Sequence, residues 1–193
     1  MLRDVELKRE CGDCTACCTT MIVPELNKPA NVSCVHAKGG CEIYEGRPPT
    51  CAGWDCLWIK GHFRDRDRPD KTKFVGWVMP APQVRQWGHP VVAIREIKEG
   101  STVVPNGQRA IKKLTKASVS VIVIKKETGR TIYPAKGFKN QMKRSFAAQN
   151  VPFTERSGAF YISHEDCEKM WPLDYAQGSD LRNKLKDLIQ IGN

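Results

Sequence analysis

The stretch Ser118-Val119-Ser120-Val121-Ile122-Val123-Ile124-Lys125-Lys126 is the clearest structural signal in the chain. Each of its apolar positions is β-branched, the side-chain type that packs best on a pleated surface. It predicts a strand over 118–126. The following Glu127-Thr128-Gly129-Arg130 is a turn, and Thr131 to Pro134 returns as a second strand, so the pair predicts a hairpin. Upstream, Pro105 to Ala117 places Arg109, Lys112, Lys113 and Lys116 on one face, the spacing of an amphipathic helix. Phe74 to Met79 and Val91 to Ile97 predict further strands, and Phe138 to Gln149 and Ser179 to Ile191 predict helices. Strands and helices do not alternate strictly. The expected class is α+β with a small antiparallel sheet, not a doubly wound parallel one.

The chain has 193 residues, 40% hydrophobic and 27% charged. These are ordinary values for one globular domain or a domain with an appendage. No apolar stretch approaches a membrane span, and the start MLRDVELKREC carries no signal-peptide core. A cytoplasmic location is therefore expected. Collagen, coiled-coil, membrane and secreted mini-protein classes are excluded or disfavoured. The turn-rich Gly61 to Thr72 marks the expected join between a cysteine module, residues 1–60, and a basic α+β region, residues 61–193, packed against it.

Eight of the nine cysteines (Cys11, Cys14, Cys17, Cys18, Cys34, Cys41, Cys51 and Cys56) lie between positions 11 and 56, where an even spread would place roughly two. Oxidised frameworks belong to export compartments. In a reducing cytosol, thiols two residues apart fit better around a metal than into short strained disulfides. Metal coordination is thus favoured over structural disulfides and over catalytic redox thiols. All eight are candidate ligands.

The first block reads C-x2-C-x2-C-C. Gly12 permits the tight turn that points successive thiols inward. Adjacent Cys17 and Cys18, if extended, point to opposite sides, so they serve two centres, or one centre with one sulfur spare. Two inorganic solutions fit: an iron–sulfur cluster, 4Fe-4S being one form, or one or two tetrahedral zinc sites. Ligand softness does not choose between them. His36 is a further potential ligand, although a solvated ring is the favoured reading.

The second block supplies Cys34, then Cys41-Glu42-Ile43-Tyr44-Glu45-Gly46-Arg47-Pro48-Pro49-Thr50-Cys51, then Cys56. Together the blocks resemble the YkgJ-type cysteine-cluster family, described as a zinc- or iron-chelating domain. The signature is C-x2-C-x2-C-C, a further cysteine, then C-x-I-Y-E-x-R-P-x-x-C. Here it falls on Cys11, Cys14, Cys17, Cys18, Cys34, Cys41, Ile43, Tyr44, Glu45, Arg47, Pro48 and Cys51, and Cys56 lies beyond it. The resemblance covers residues 11 to about 58 and implies a bound zinc or iron. A bacterial flagellin lysine methylase is similar in its cysteine cluster. This chain has no G-x-G-x-x-G loop, so methyl transfer is not carried over. On chemical grounds Arg47 pairs with Glu42 or Glu45 or offsets thiolate charge, Pro48 and Pro49 stiffen the approach to Cys51, and Tyr44 and Trp54 shield the cluster or pack in the core.

Three functions remain in play: a metal-binding protein with a structural or redox centre; a metalloenzyme, by group transfer or redox chemistry, with a pocket beside the cluster; and a nucleic-acid-associated zinc protein. The net charge of +10 divides into −2 over residues 1–57 and +12 over 58–193, which gives the third reading its basis. A solvated basic face is favoured over nucleic-acid binding, because no aromatic platform accompanies it. Cys167, near His164, is a candidate nucleophile, with chance proximity favoured. His62 and His89 are expected to be solvated, and Trp77, Trp87 and Trp171 to be core or rim residues.

Overall fold

A computed structural model describes residues 9–80 and 87–170. The helix expected over 179–191 and Trp171 lie outside the described residues. The fold is α+β, built on one sheet in the order β1-β2-β3-β4-β6-β5. Its strands are β1 (Phe74–Val78), β2 (Val91–Glu96), β3 (Ser120–Lys125), β4 (Gly129–Tyr133), β5 (Thr154–Arg156) and β6 (Ala159–Ile162).

The sheet is larger than the small antiparallel one expected, and it is mixed. β2 and β3 run parallel, with Val91 opposite Ser120 and Arg95 opposite Ile124; every other pair is antiparallel. A parallel pair needs a long crossover, and the helix over Pro105–Lys116 provides it. The β-branched run therefore has a physical reason. Val121 and Val123 face one core while Ile122 and Ile124 face another, so β3 is buried on both sides. β2 divides likewise, with Val92 and Ile94 against Val91 and Ala93.

Six helices accompany the sheet among the described residues: α1 (Ala16–Thr20), α2 (Pro49–Ala52), α3 (Pro69–Thr72), α4 (Pro105–Lys116), α5 (Lys139–Ala148) and α6 (His164–Met170). α4 starts with Pro105, whose missing N–H costs nothing in the first turn. It buries Ala110, Ile111 and Leu114 and leaves Arg109, Lys112, Lys113 and Lys116 exposed. Lys113 and Lys116 end the helix where its dipole favours cations. On the opposite face, Met142 and Phe146 of α5 and Cys167 of α6 pack on Ile132, Phe160 and Ile162.

The hairpin after β3 closes by pairing Lys125 with Gly129, and Gly129 has φ 85°. A Cβ there would also stand 2.2 Å from the Ile162 carbonyl oxygen. Both the turn and the approach of β6 thus demand glycine. The β5–β6 hairpin turns on Ser157 (φ 49°) and Gly158 (φ 79°). Two successive left-handed residues make a tight two-residue loop.

The Gly61–Thr72 stretch is well structured. Phe63 joins the core formed with Leu57, Trp58 and Phe74, and Pro69 and Thr72 are buried. Residues on either side of position 60 thus share one core cluster.

Candidate metal centre

The N-terminal segment is tied to the sheet at three points. The Arg95 guanidinium at the end of β2 donates to the Thr20 carbonyl (3.0 Å). The Leu57 N–H donates to the Gly76 carbonyl of β1 (2.7 Å). Arg9 donates to the carbonyls of Trp58 (2.9 Å) and Phe63 (2.8 Å). Leu57 is completely buried, and its Cδ1 lies 3.0 Å from where a Gly76 Cβ would stand, so the small residue in β1 lets the segment sit close.

The local chain explains how each thiol is aimed. The Cys14 N–H closes a turn onto the Cys11 carbonyl (3.0 Å), with Gly12 in the left-handed region at φ 55°. α1 follows and carries Cys17 and Cys18. They are helical, not extended, so their side chains diverge by about 100° instead of pointing to opposite sides. The Cys34 N–H donates to the Cys18 carbonyl (2.9 Å), and a bridge from Ala37 to Cys41 closes the next loop. Pro49 opens α2, which carries Cys51. Glu25 accepts bonds from the Thr50 N–H (3.0 Å) and hydroxyl (2.8 Å), fixing the start of that helix. Cys56 is buried and its sulfur accepts the Ile59 N–H at 3.4 Å.

All eight clustered cysteines line one cavity of about 80 Å³, together with Lys28, Arg47 and Asp55. That space holds several water-sized groups. Met21, Val23, Leu26 and Ile43 supply an apolar wall, and Tyr44 and Trp54 border the same space. Arg47 lies 4.1 Å over the Tyr44 ring, close enough for the cation to feel the ring's negative face. Glu42 pairs with Lys38 (3.4 Å).

The sulfurs are not equivalent. Cys17 hydrogen-bonds to both Cys11 and Cys18, and as donor it draws those two thiols down to about 7 while its own titration is pushed up. Arg47 reinforces the effect at Cys11 and Lys28 at Cys18. Burial pushes Cys56 up to about 11 and raises Cys14 and Cys51. Two thiolates on a neutral donor make a partly ionised sulfur set, the state in which cysteine binds metal.

Sequence reasoning missed Lys28. It is only 5% exposed, and its Nζ donates to the carbonyls of Thr19 (3.2 Å), Pro29 (3.0 Å) and Met21. Burial lowers its pKa, opposed by the neighbouring sulfurs of Cys34 and Cys18. A signal was present. Lys28 lies between Asn27, which takes φ 54°, and Pro29. Asparagine and proline around one residue mark a turn, which here folds the side chain back under the chain.

The remaining candidates fall elsewhere. His36 does not line the cavity. Cys167 is completely buried among Ile132, Met142 and Phe160, so no substrate reaches its sulfur. His89 is half-buried, not solvated: Nε2 contacts the Ser120 hydroxyl and Nδ1 the Trp87 carbonyl, both at 2.6 Å, and the ring stacks on Phe138. Trp87 is core, with its indole N–H on Ser145 (3.1 Å). On the basic face of α4, Arg109 pairs with Asp67 (3.1 Å) and Lys113 donates to the His62 carbonyl (2.7 Å), which engages two of its four cations.

The donor set suits a thiophilic ion, with soft sulfurs concentrated around one space and two cations lining it. Among the described residues, no three His, Cys, Asp or Glu side chains stand at the mutual spacing of a formed ion site. Nor is any helix among them long and apolar enough to cross a membrane. No family model, curated protein or solved structure matches the chain.

Proposed function

We propose that this chain is a metal-binding protein whose N-terminal cysteines hold zinc or an iron–sulfur cluster. One observation carries the reading. Eight thiols, spread from position 11 to position 56, converge on the walls of one cavity, and all are free. Hydrophobic packing alone does not gather eight sulfurs and two cations around a shared space. Zinc there would staple the N-terminal segment; an iron–sulfur cluster would carry an electron. The apolar wall excludes water from the sulfurs and slows their oxidation. The likeness to the YkgJ-type cysteine-cluster pattern agrees with this reading, and so does a reducing, cytoplasmic setting, where thiols stay unpaired.

The test is purification without oxygen, followed by elemental analysis and a visible spectrum. Iron with sulfide and broad visible absorption identifies a cluster; stoichiometric zinc in colourless protein identifies the staple. Metal-free protein with the eight cysteines joined in pairs overturns the proposal.

A further inference from the structure

The eight sulfurs divide by neighbourhood. Cys56 has Cys11 and Cys14 as its sulfur neighbours, Cys14 has Cys11, and Cys11 is bonded to Cys17. Cys51 instead faces Cys18, Cys34 and Cys41, and the Cys34 backbone is tied to the Cys18 carbonyl. The neighbours of Cys51 and those of Cys56 do not overlap. Cys17 touches both Cys11 and Cys18, but the turn of α1 carries it about 100° away from Cys18. The set around Cys51 already numbers four without Cys17, so Cys17 completes the other.

The surroundings differ as well. Cys14 and Cys56 are the most buried of the eight, each 7% exposed. Backbone N–H groups of Ala16 and Asp70 point at the Cys14 sulfur, and that of Ile59 at Cys56. N–H groups aimed at sulfur stabilise bound thiolate. The Cys51 set lies nearer solvent, beside the buried Lys28 ammonium.

Resting on the metal-binding reading above, we propose two separate four-thiolate centres, an inner one of Cys11, Cys14, Cys17 and Cys56 and an outer one of Cys18, Cys34, Cys41 and Cys51. Four sulfurs are the complete shell of a structural zinc and of a cubane cluster. Each centre has one cation at hand, Arg47 for the inner at Cys11 and Lys28 for the outer at Cys18. The ligands interleave along the chain. Cys56 reaches back to the first block, and Cys18 leaves it for the second. Neither block is therefore expected to hold a metal alone.

The experiment uses the full chain purified without oxygen. Chelator is added in steps, EDTA for zinc or bipyridyl for iron, and exposed thiols are alkylated and located by mass spectrometry. The expected result is two groups of four. Cys18, Cys34, Cys41 and Cys51 become labelled together, as half of the metal leaves. Cys11, Cys14, Cys17 and Cys56 follow together with the other half. As a second measurement, Cys34→Ser/Cys51→Ser should halve the metal content and leave the inner four protected. Labelling of all eight in one step, or groups of other membership, overturns the division while metal binding stands. Wild-type protein that carries no metal and labels at all eight before chelator overturns the metal-binding reading itself.

Discussion

Replacing Lys28 with methionine should destabilise the protein strongly, because its ammonium is the donor for three backbone carbonyls that fold over it. A hydrogen bond to a charged group contributes about 1.5–3 kcal/mol. The three are not additive, and removing a buried charge returns part of its desolvation cost. The net loss should be about 3 kcal/mol, near the lower end of the cost of removing one side of a buried ionic arrangement. With a urea dependence of about 2 kcal/mol per molar, the unfolding midpoint should fall by about 1.5 M. Tryptophan fluorescence reports it directly, since Trp54, Trp58 and Trp77 all pack in or against the core beside this segment. Lys112→Met, at an exposed position on α4, is the control. It should move stability by at most about 0.5 kcal/mol. If Lys28→Met unfolds at the same urea concentration as that control, the ammonium does not hold the loop, and Lys28 is not its anchor.

Three other outcomes are expected of the same structure. Gly107→Ala should gain about 1 kcal/mol from helix propensity alone. Its Cβ, however, would stand 2.4 Å from Thr102 Cα and 2.5 Å from the Ser101 oxygen. Overpacking of that severity outweighs the gain, and calorimetry should show a net loss of about 2 kcal/mol. Ser120→Ala removes a buried hydroxyl that accepts the Ala135 N–H (2.8 Å) and contacts His89. At about 2 kcal/mol for the unpaired groups, the melting temperature should drop by about 6 °C. Arg68 grips Asp70 with two bonds, 2.6 and 2.7 Å, and holds that carboxyl below its ordinary 3.8. A depressed carboxylate contributes stability that is present above its unfolded value and lost as the pH falls toward its folded one. Asp70→Asn should therefore be less stable than wild type at pH 7, with the gap closing below about pH 4 in denaturant titrations.

The fold was legible where one periodicity dominated. The β-branched run over 118–126 and the amphipathic stretch over 105–117 both form the elements expected, within two residues at each end. The parallel pairing of β2 with β3 was not legible, because a strand buried on both faces looks the same whichever way its neighbour runs. The β5–β6 hairpin was missed because β5 is three exposed residues with no alternation to detect. Its turn, Ser157-Gly158, carried the only local signal. At the candidate site, cysteine spacing named the sulfurs but not their company. Lys28 and Asp55 reach the cavity through loop geometry, which leaves no periodic trace in the sequence.

The two cores on opposite faces of the sheet give the molecule an uneven vulnerability. The cluster around Met142 and Phe146 draws none of its members from the cysteine-bearing segment, whereas the cluster around Val92 and Val121 depends on Cys56, Leu57 and Trp58 for its cover. Peeling that segment away would strip one side of the sheet and leave the other closed, creating a half-folded intermediate with an apolar face open to solvent. Such a species invites self-association. Whatever secures the amino-terminal segment thus also guards the chain against clumping.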